Sequence, residues 1–222
     1  GCSRNSPTAQ VRWDPIPSVN SATDALICNE SVLDYAITST VSGTTYIWTS
    51  SLLTAPTDGT ITGFNDCTTD CGSTITDVLN NTGTSPGTVQ YIITPTGPSP
   101  TFCAGAPFTL EAEVYPTADV DATVAEATIC DGSSTDISLE TTITDVDVYY
   151  TWTAAVQDDA SGAAVLGGFA NCSVSTCGAS IAQTLTNTGT APGVVRYTIT
   201  ANIDPALECE GETIVVDITV NP

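Results

Sequence analysis

The chain's 222 residues, 41% of them hydrophobic, can bury a sizeable core, as one large domain or as two of about 100 residues each. Its 25 acidic residues face three arginines (Arg4, Arg12 and Arg196), and the net charge of −22 repels phosphate backbones and anionic lipid, which excludes nucleic acid and membrane surfaces as partners. With no histidine and no lysine, Ser-His-Asp, Cys-His, Ser-Lys and Schiff-base chemistry are excluded as well.

Nine cysteines without histidine point away from mixed Cys/His zinc sites and toward disulfides, hence toward an oxidising, extracytoplasmic compartment. No signal-peptide pattern and no run of about 18 apolar residues is present, so these residues read as a mature portion whose anchor or export signal lies outside them.

The first element is "CSRNSPTAQVRWDP", from Cys2 to Pro15, and its cysteine-to-proline spacing returns twice later in the chain. Beyond it the chain reads as short strands: Thr, Val, Ile and Tyr dominate, apolar and polar residues alternate, and Gly, Pro, Asn and Asp punctuate. In order come "ALIC" ending at Cys28, "YIWTS" from Tyr46, "GFNDC" ending at Cys67, "NNTGTSPG" from Asn80, "TVQYIIT" from Thr88 and "FCAGAPFTLEAEVYP" ending at Pro116. The series then starts again with "ATIC" to Cys130, "YTWTA" from Tyr150, "GFANC" to Cys172, "TNTGTAPG" from Thr186, "VVRYTIT" from Val194 and "ECEGETIVVDITVNP" to Pro222. Two units, 18–117 and 118–222, therefore each carry four cysteines, with Cys28, Cys67, Cys71 and Cys103 matching Cys130, Cys172, Cys177 and Cys209.

The expected fold is all-β, two β-sandwiches in tandem, because six or seven short strands in about 100 residues suit a two-sheet sandwich. Period-2 alternation puts Val89, Tyr91 and Ile93 on one face, and Ile214, Val216, Ile218 and Val220 likewise. Trp48 and Trp152 fit the cores. In the repeated "NTGTxPG" turn, Gly83 and Gly189 are expected at positive φ, Pro86 and Pro192 preset φ, and the Asn side chains bond nearby backbone.

Cys28 and Cys130 read as preceding an early strand, and Cys103 and Cys209 as preceding the last one. Bridges Cys28–Cys103 and Cys130–Cys209 would then clamp first strand to last, worth about 4 kcal/mol each on the chain-entropy model. The pairs Cys67–Cys71 and Cys172–Cys177 would pin local loops, contributing about 2 kcal/mol each. A redox role for these close pairs needs a lowered thiol pKa, which acidic surroundings oppose.

Cys2 is left over. Thirteen steps separate it from Pro15, as they separate Cys103 from Pro116 and Cys209 from Pro222, so residues 1–17 read as the last strand of another unit. Either the chain is a window on a longer tandem array, or this strand completes a unit in a neighbouring subunit, with Cys2 pairing across chains. The array is the simpler reading, since both units already own a last strand.

These residues resemble a known family. Cys28, Tyr46-Ile47-Trp48-Thr49, Asn81-Thr82-Gly83, Val89-Gln90-Tyr91 and Cys103-Ala104-Gly105 recur as Cys130, Tyr150-Thr151-Trp152-Thr153, Asn187-Thr188-Gly189, Val195-Arg196-Tyr197 and Cys209-Glu210-Gly211. The pattern resembles the PKD-like repeats of very large secreted surface proteins of Bacteroidota, including the adhesins of gliding motility. The resemblance implies Ig-like sandwiches, export to the cell surface, and a non-catalytic role in adhesion or filament building. Expected partners are neighbouring repeats or identical subunits, with surface glycans or a solid substrate as adhesive targets.

The site search yields little chemistry. Asp158 and Asp159 form a carboxylate pair in a surface loop, which is weak ground for a glycosidase. Asp119, Asp121, Asp145 and Asp147 make a candidate Ca2+ set near the junction between the units, against the plainer reading of a solvated acidic face; no other cofactor is expected. Asn29, Asn80 and Asn171 each begin an N-glycosylation pattern. A rival role, a carbohydrate-binding accessory module, would need exposed aromatics, and Trp13, Phe64, Phe102 and Phe169 are its candidates, although the matched Phe64 and Phe169 read as packing under the small disulfide loops.

Overall fold

The computed structural model describes residues 13–69, 71–203 and 209–222, and every regular element in them is a β-strand. The first unit holds β1 (Asp24–Cys28), β2 (Tyr35–Ala36), β3 (Thr45–Thr54), β4 (Ile61–Thr62), β5 (Thr74–Ile75), β6 (Asn80–Asn81), β7 (Gly87–Thr96) and β8 (Phe108–Tyr115). The second holds β9 (Asp121–Val124), β10 (Thr128–Cys130), β11 (Ile137–Glu140), β12 (Val148–Asp158), β13 (Leu166–Gly167), β14 (Ser180–Ile181), β15 (Thr186–Asn187), β16 (Gly193–Ile203) and β17 (Cys209–Asn221).

The same four-stranded sheet is built twice, in the order β1-β8-β7-β3 and β10-β17-β16-β12. Its long strands pair antiparallel, but the early strand lies parallel to the last one in both copies. Across each core sit short pairings: β2 with β5 and β4 with β6 in the first unit, β14-β11-β9 and β13 with β15 in the second. The register slips at matching places, between Leu52 and Thr54 and between Val156 and Asp158.

Alternation decides what is buried. Val89, Tyr91 and Ile93 are sealed inside while Gln90, Ile92 and Thr94 point outward, and Val216, Ile218 and Val220 repeat this in β17. Two separate hydrophobic clusters result, one per unit, with Trp48 and Trp152 at equivalent places. Each indole Nε1 donates to a backbone carbonyl, of Asn65 or Ala170, so the ring is buried without stranding its one polar atom.

The repeated "NTG" serves architecture. The buried Asn81 side chain donates to the carbonyls of Ser85 and Val114 and accepts from the Gly83 N–H, at 2.9, 2.8 and 2.9 Å. Asn187 does the same to Ala191, Val220 and Gly189, at 2.9, 2.8 and 3.0 Å. One amide thus holds a turn closed and ties it to the last strand. The glycines differ from expectation: neither Gly83 nor Gly189 has a positive φ. They are required for space, because a Cβ would meet the Thr57 carbonyl at 2.6 Å or the Ala163 carbonyl at 2.2 Å.

Candidate functional site at the junction

The parallel pairing of first and last strands fixes where each cysteine lies. Cys28 ends β1 rather than preceding a strand, and it stands opposite Tyr115, the last residue of β8. Cys103 lies beyond the other end of β8, beside the β7–β8 connection, where its carbonyl accepts from the Gly97 N–H. Eight residues of strand span about 23 Å, far beyond the roughly 7 Å that a disulfide tolerates between Cα atoms. The expected pair Cys28–Cys103 is therefore geometrically excluded. Cys130, opposite Asn221, is separated from Cys209 by the whole of β17, about 40 Å, which excludes Cys130–Cys209 too.

Cys28 is instead bonded to Cys209 of the second unit, with Cα atoms 5.5 Å apart and a sequence separation of 181. The bond crosses the junction. Around it, Asn29 Nδ2 donates to Thr117 Oγ1 at 2.9 Å, and the Thr144 N–H donates to the Thr84 carbonyl at 2.7 Å. Cys28 and Tyr115 pack against the second unit's core cluster, in which Cys209 is buried. Thr84 belongs to the "NTGTSPG" turn, so the turn that closes one unit also touches the next.

The connecting segment is threaded through a glycine gap. A Cβ on Gly211 would meet the Ala118 carbonyl at 2.3 Å, and the Glu212 N–H donates to that carbonyl at 2.7 Å. At the head of the first unit, a Cβ on Gly105 would meet the Pro17 carbonyl at 2.1 Å. The "C-x-G" pair is the seat on which the incoming chain rests. Its repetition was visible in the sequence; Asn29, Thr84, Thr117 and Thr144 gave no comparable signal, because threonines and asparagines are everywhere in this chain.

The remaining cysteines divide in two. Cys67 is bonded to Cys71 and Cys172 to Cys177, each pair in a loop whose first cysteine exchanges two backbone hydrogen bonds with Trp48 or Trp152. Cys103 and Cys130 are free thiols, half-buried and exposed respectively. Cys2 lies outside the described residues.

Among the described residues no three Cys, Asp or Glu side chains gather as metal ligands. Asp119 is already engaged: its carboxylate accepts from the Thr141 and Thr142 hydroxyls and the Thr142 N–H. Burial works to raise its pKa, and these hydrogen bonds outweigh it and hold the group below the usual carboxylate value. Asp121 accepts from the next residue's N–H, and Asp145 sits at a left-handed turn with φ of 63°. The Asp158 and Asp159 carboxylates likewise accept from Ala160 and Gly162 N–H groups in their own loop, so they serve a turn. Phe64 and Phe169 pack against the two cores, whereas Trp13 and Phe102 are exposed. A cleft of about 770 Å³ opens beside the Cys67–Cys71 loop and is walled by threonines, Tyr46 and Ile47, with no acid–base pair in its described lining.

Comparison with known proteins gives one family. The PKD-like domain model matches residues 25–118 and 127–222. No curated protein matches the chain. Among solved structures, the human mucin-like protocadherin EC1-2 is 13% identical, with 92% of this chain and 97% of that one covered at a TM-score of 0.31. The Yersinia pseudotuberculosis adhesin InvE is 16% identical at a TM-score of 0.31, covering 93% of this chain and 59% of that one. The Escherichia coli adhesin FdeC is 20% identical at a TM-score of 0.32, covering 92% and 62%.

Proposed function

The chain belongs to the PKD-like domain family, in two tandem copies, and from that premise we propose that it is a structural and adhesive repeat region of an extracellular, cell-surface protein with no catalysis of its own. The finer reading is a surface filament or giant adhesin of the gliding-motility type, in which residues 1–17, 18–117 and 118–222 are parts of three successive units. The observation that carries the proposal is the Cys28–Cys209 bond, which spends a covalent link on the junction between two units that each have their own core. Such a link does little for either core and much for the angle and tensile continuity between them.

The charge suits this role. A net charge of −22 keeps long chains soluble and mutually repelling. Among the described residues no helix is long and apolar enough to cross a membrane. Strand donation from a neighbouring subunit is the weaker alternative, because β8 and β17 already occupy the inner positions of their sheets. A carbohydrate-binding role is the rival reading, and its one support is the exposed Phe102, next to Thr101, whose Oγ1 donates to Asp14 Oδ2 at 2.7 Å. Glycan-array binding that disappears with Phe102→Ala would establish that second role.

The test of the main proposal is the mass of the natively isolated polypeptide after full reduction and denaturation. A mass far above 22.7 kDa is expected. A mass near that value would make the protein a small subunit and defeat the array.

A further inference from the structure

The two free thiols are copies of the two bonded ones. Cys103 occupies in the first unit the place Cys209 has in the second, two residues before a glycine that seats the incoming chain. Cys130 ends its early strand beside the exit of the last strand, as Cys28 does. In this molecule the Cys28 type bonds the Cys209 type of the following unit. We propose that Cys103 and Cys130 are the two open halves of the same clamp: Cys103 bonds the cysteine ending the early strand of a preceding PKD-like unit, and Cys130 bonds the cysteine opening the last strand of a following one.

A second observation, independent of the cysteines, says what sits at the head of the first unit. Counting back from the junction prolines Pro15 and Pro116, Trp13 corresponds to Val114. Val114 is 0% exposed in the core of its unit, whereas Trp13 is 91% exposed. A large aromatic at a position the repeat uses for its core belongs to a unit whose body would cover it. That occupant is a unit of the same kind, continuous with residues 13–17, and not an unrelated protein. It brings its own Cys28-type thiol to the side of the junction where Cys103 waits. The proposal rests on the tandem-array reading and deepens it into a bonding rule, in which every junction carries one disulfide and no unit has its early strand stapled to its own last one.

Each clamp forms by removal of two protons and two electrons from a pair of thiols. Both electrons pass to a disulfide-bearing oxidant of the export route, which accepts them by thiol–disulfide exchange and leaves as a dithiol. No residue of this chain is needed as oxidant.

The experiment is a disulfide map of the natively isolated protein, alkylated without reduction, digested and sequenced as cross-linked peptides. Cys103 is expected linked to a peptide of the "A-x-I-C" type from another unit, Cys130 to a "C-x-G" peptide, and Cys28 to Cys209. Alkylated Cys103 or Cys130, or a Cys28–Cys103 or Cys130–Cys209 peptide, overturns the rule. A Cys103–Cys130 peptide also overturns it, in favour of end-to-end docking of separate copies. The reduced mass of the same sample reports on the array itself, so a long polypeptide with free Cys103 would sink the clamp and spare the array. As an internal check, the 222-residue chain made alone in an oxidising compartment should keep Cys28–Cys209 and take up alkylating reagent at Cys103 and Cys130.

Discussion

Single side chains carry much of the architecture. Asn187 donates to two backbone carbonyls, Ala191 and Val220, and an alanine in its place loses both bonds. A hydrogen bond is worth about 0.5–1.5 kcal/mol net, so Asn187→Ala is expected to destabilise the second unit by about 1–3 kcal/mol. Asn80→Ala, whose side chain reaches only Glu30 at 3.4 Å, should cost under about 1 kcal/mol in the first. Denaturant titration of both variants decides this, and equal losses would refute the role of the buried amide. The tyrosines of the same cores set an alkaline limit. Burial pushes the Tyr197 phenol up to about 12, and burial with the Asp77 carboxylate it donates to raises Tyr91. A raised phenol favours the neutral form in the fold, so its contribution is complete below pH 10, the usual tyrosine value, and drains away as pH climbs from 10 to about 12. A Tyr91→Phe/Tyr197→Phe variant should start less stable at neutral pH and decline less steeply across that window. Unchanged steepness would assign the alkaline loss to other groups.

At the scale of strands, the two units show which differences matter. Arg196 and Asp217 face each other across β16 and β17 in a forked ion pair at 2.8 and 2.7 Å, and the first unit has Gln90 opposite Glu111 there. Side-chain exposures of 38% and 41% leave the pair in water, where solvent screening leaves such a bridge little net worth. Arg196→Gln, which copies the first unit, should leave the thermal midpoint close to that of the parent; a drop of more than about 4 °C would contradict that. Strand content, strand faces and the small loops around Cys67–Cys71 and Cys172–Cys177 were legible because period-2 alternation and short sequence separation are local signals. The direction in which β1 meets β8 was not. An early strand reads the same whether it lies parallel or antiparallel to the last one, and only the parallel answer puts Cys28 at the exit of its unit. From that one undetermined sign came the wrong pairing of four cysteines. The partners of Asp119 were not legible for a related reason, since "TADVDA" does not reveal that Thr141 and Thr142 take up its carboxylate.

At the scale of the molecule, the parallel first and last strands make each unit a conduit: the chain enters at one end and leaves at the other, and load on the chain shears the β1–β8 or β10–β17 ladder. The Cys28–Cys209 bond changes what that load can unravel. It gives the pull a covalent path from residue 28 directly to residue 209, so everything between those residues lies inside one closed loop of sequence separation 181, while β1 and most of β17 stay outside it on the loaded segments. In single-molecule stretching of the 222-residue chain held at its ends, the oxidised form should extend only by the segments outside that loop. Adding reductant under load should then release the loop, roughly 600 Å of chain at 3.3–3.6 Å per residue, once the units unfold. A single large reduction step should expose both units, because reduction of Cys67–Cys71 and Cys172–Cys177 adds only steps of sequence separation 4 and 5, which are not counted. Within-unit bonds would require two separate events and would let the connecting segment stretch beforehand, so the number of reduction events distinguishes the two bonding schemes. Two events would overturn the junction bond as the element that carries tension; one event would make covalent continuity between units the mechanical principle of the chain.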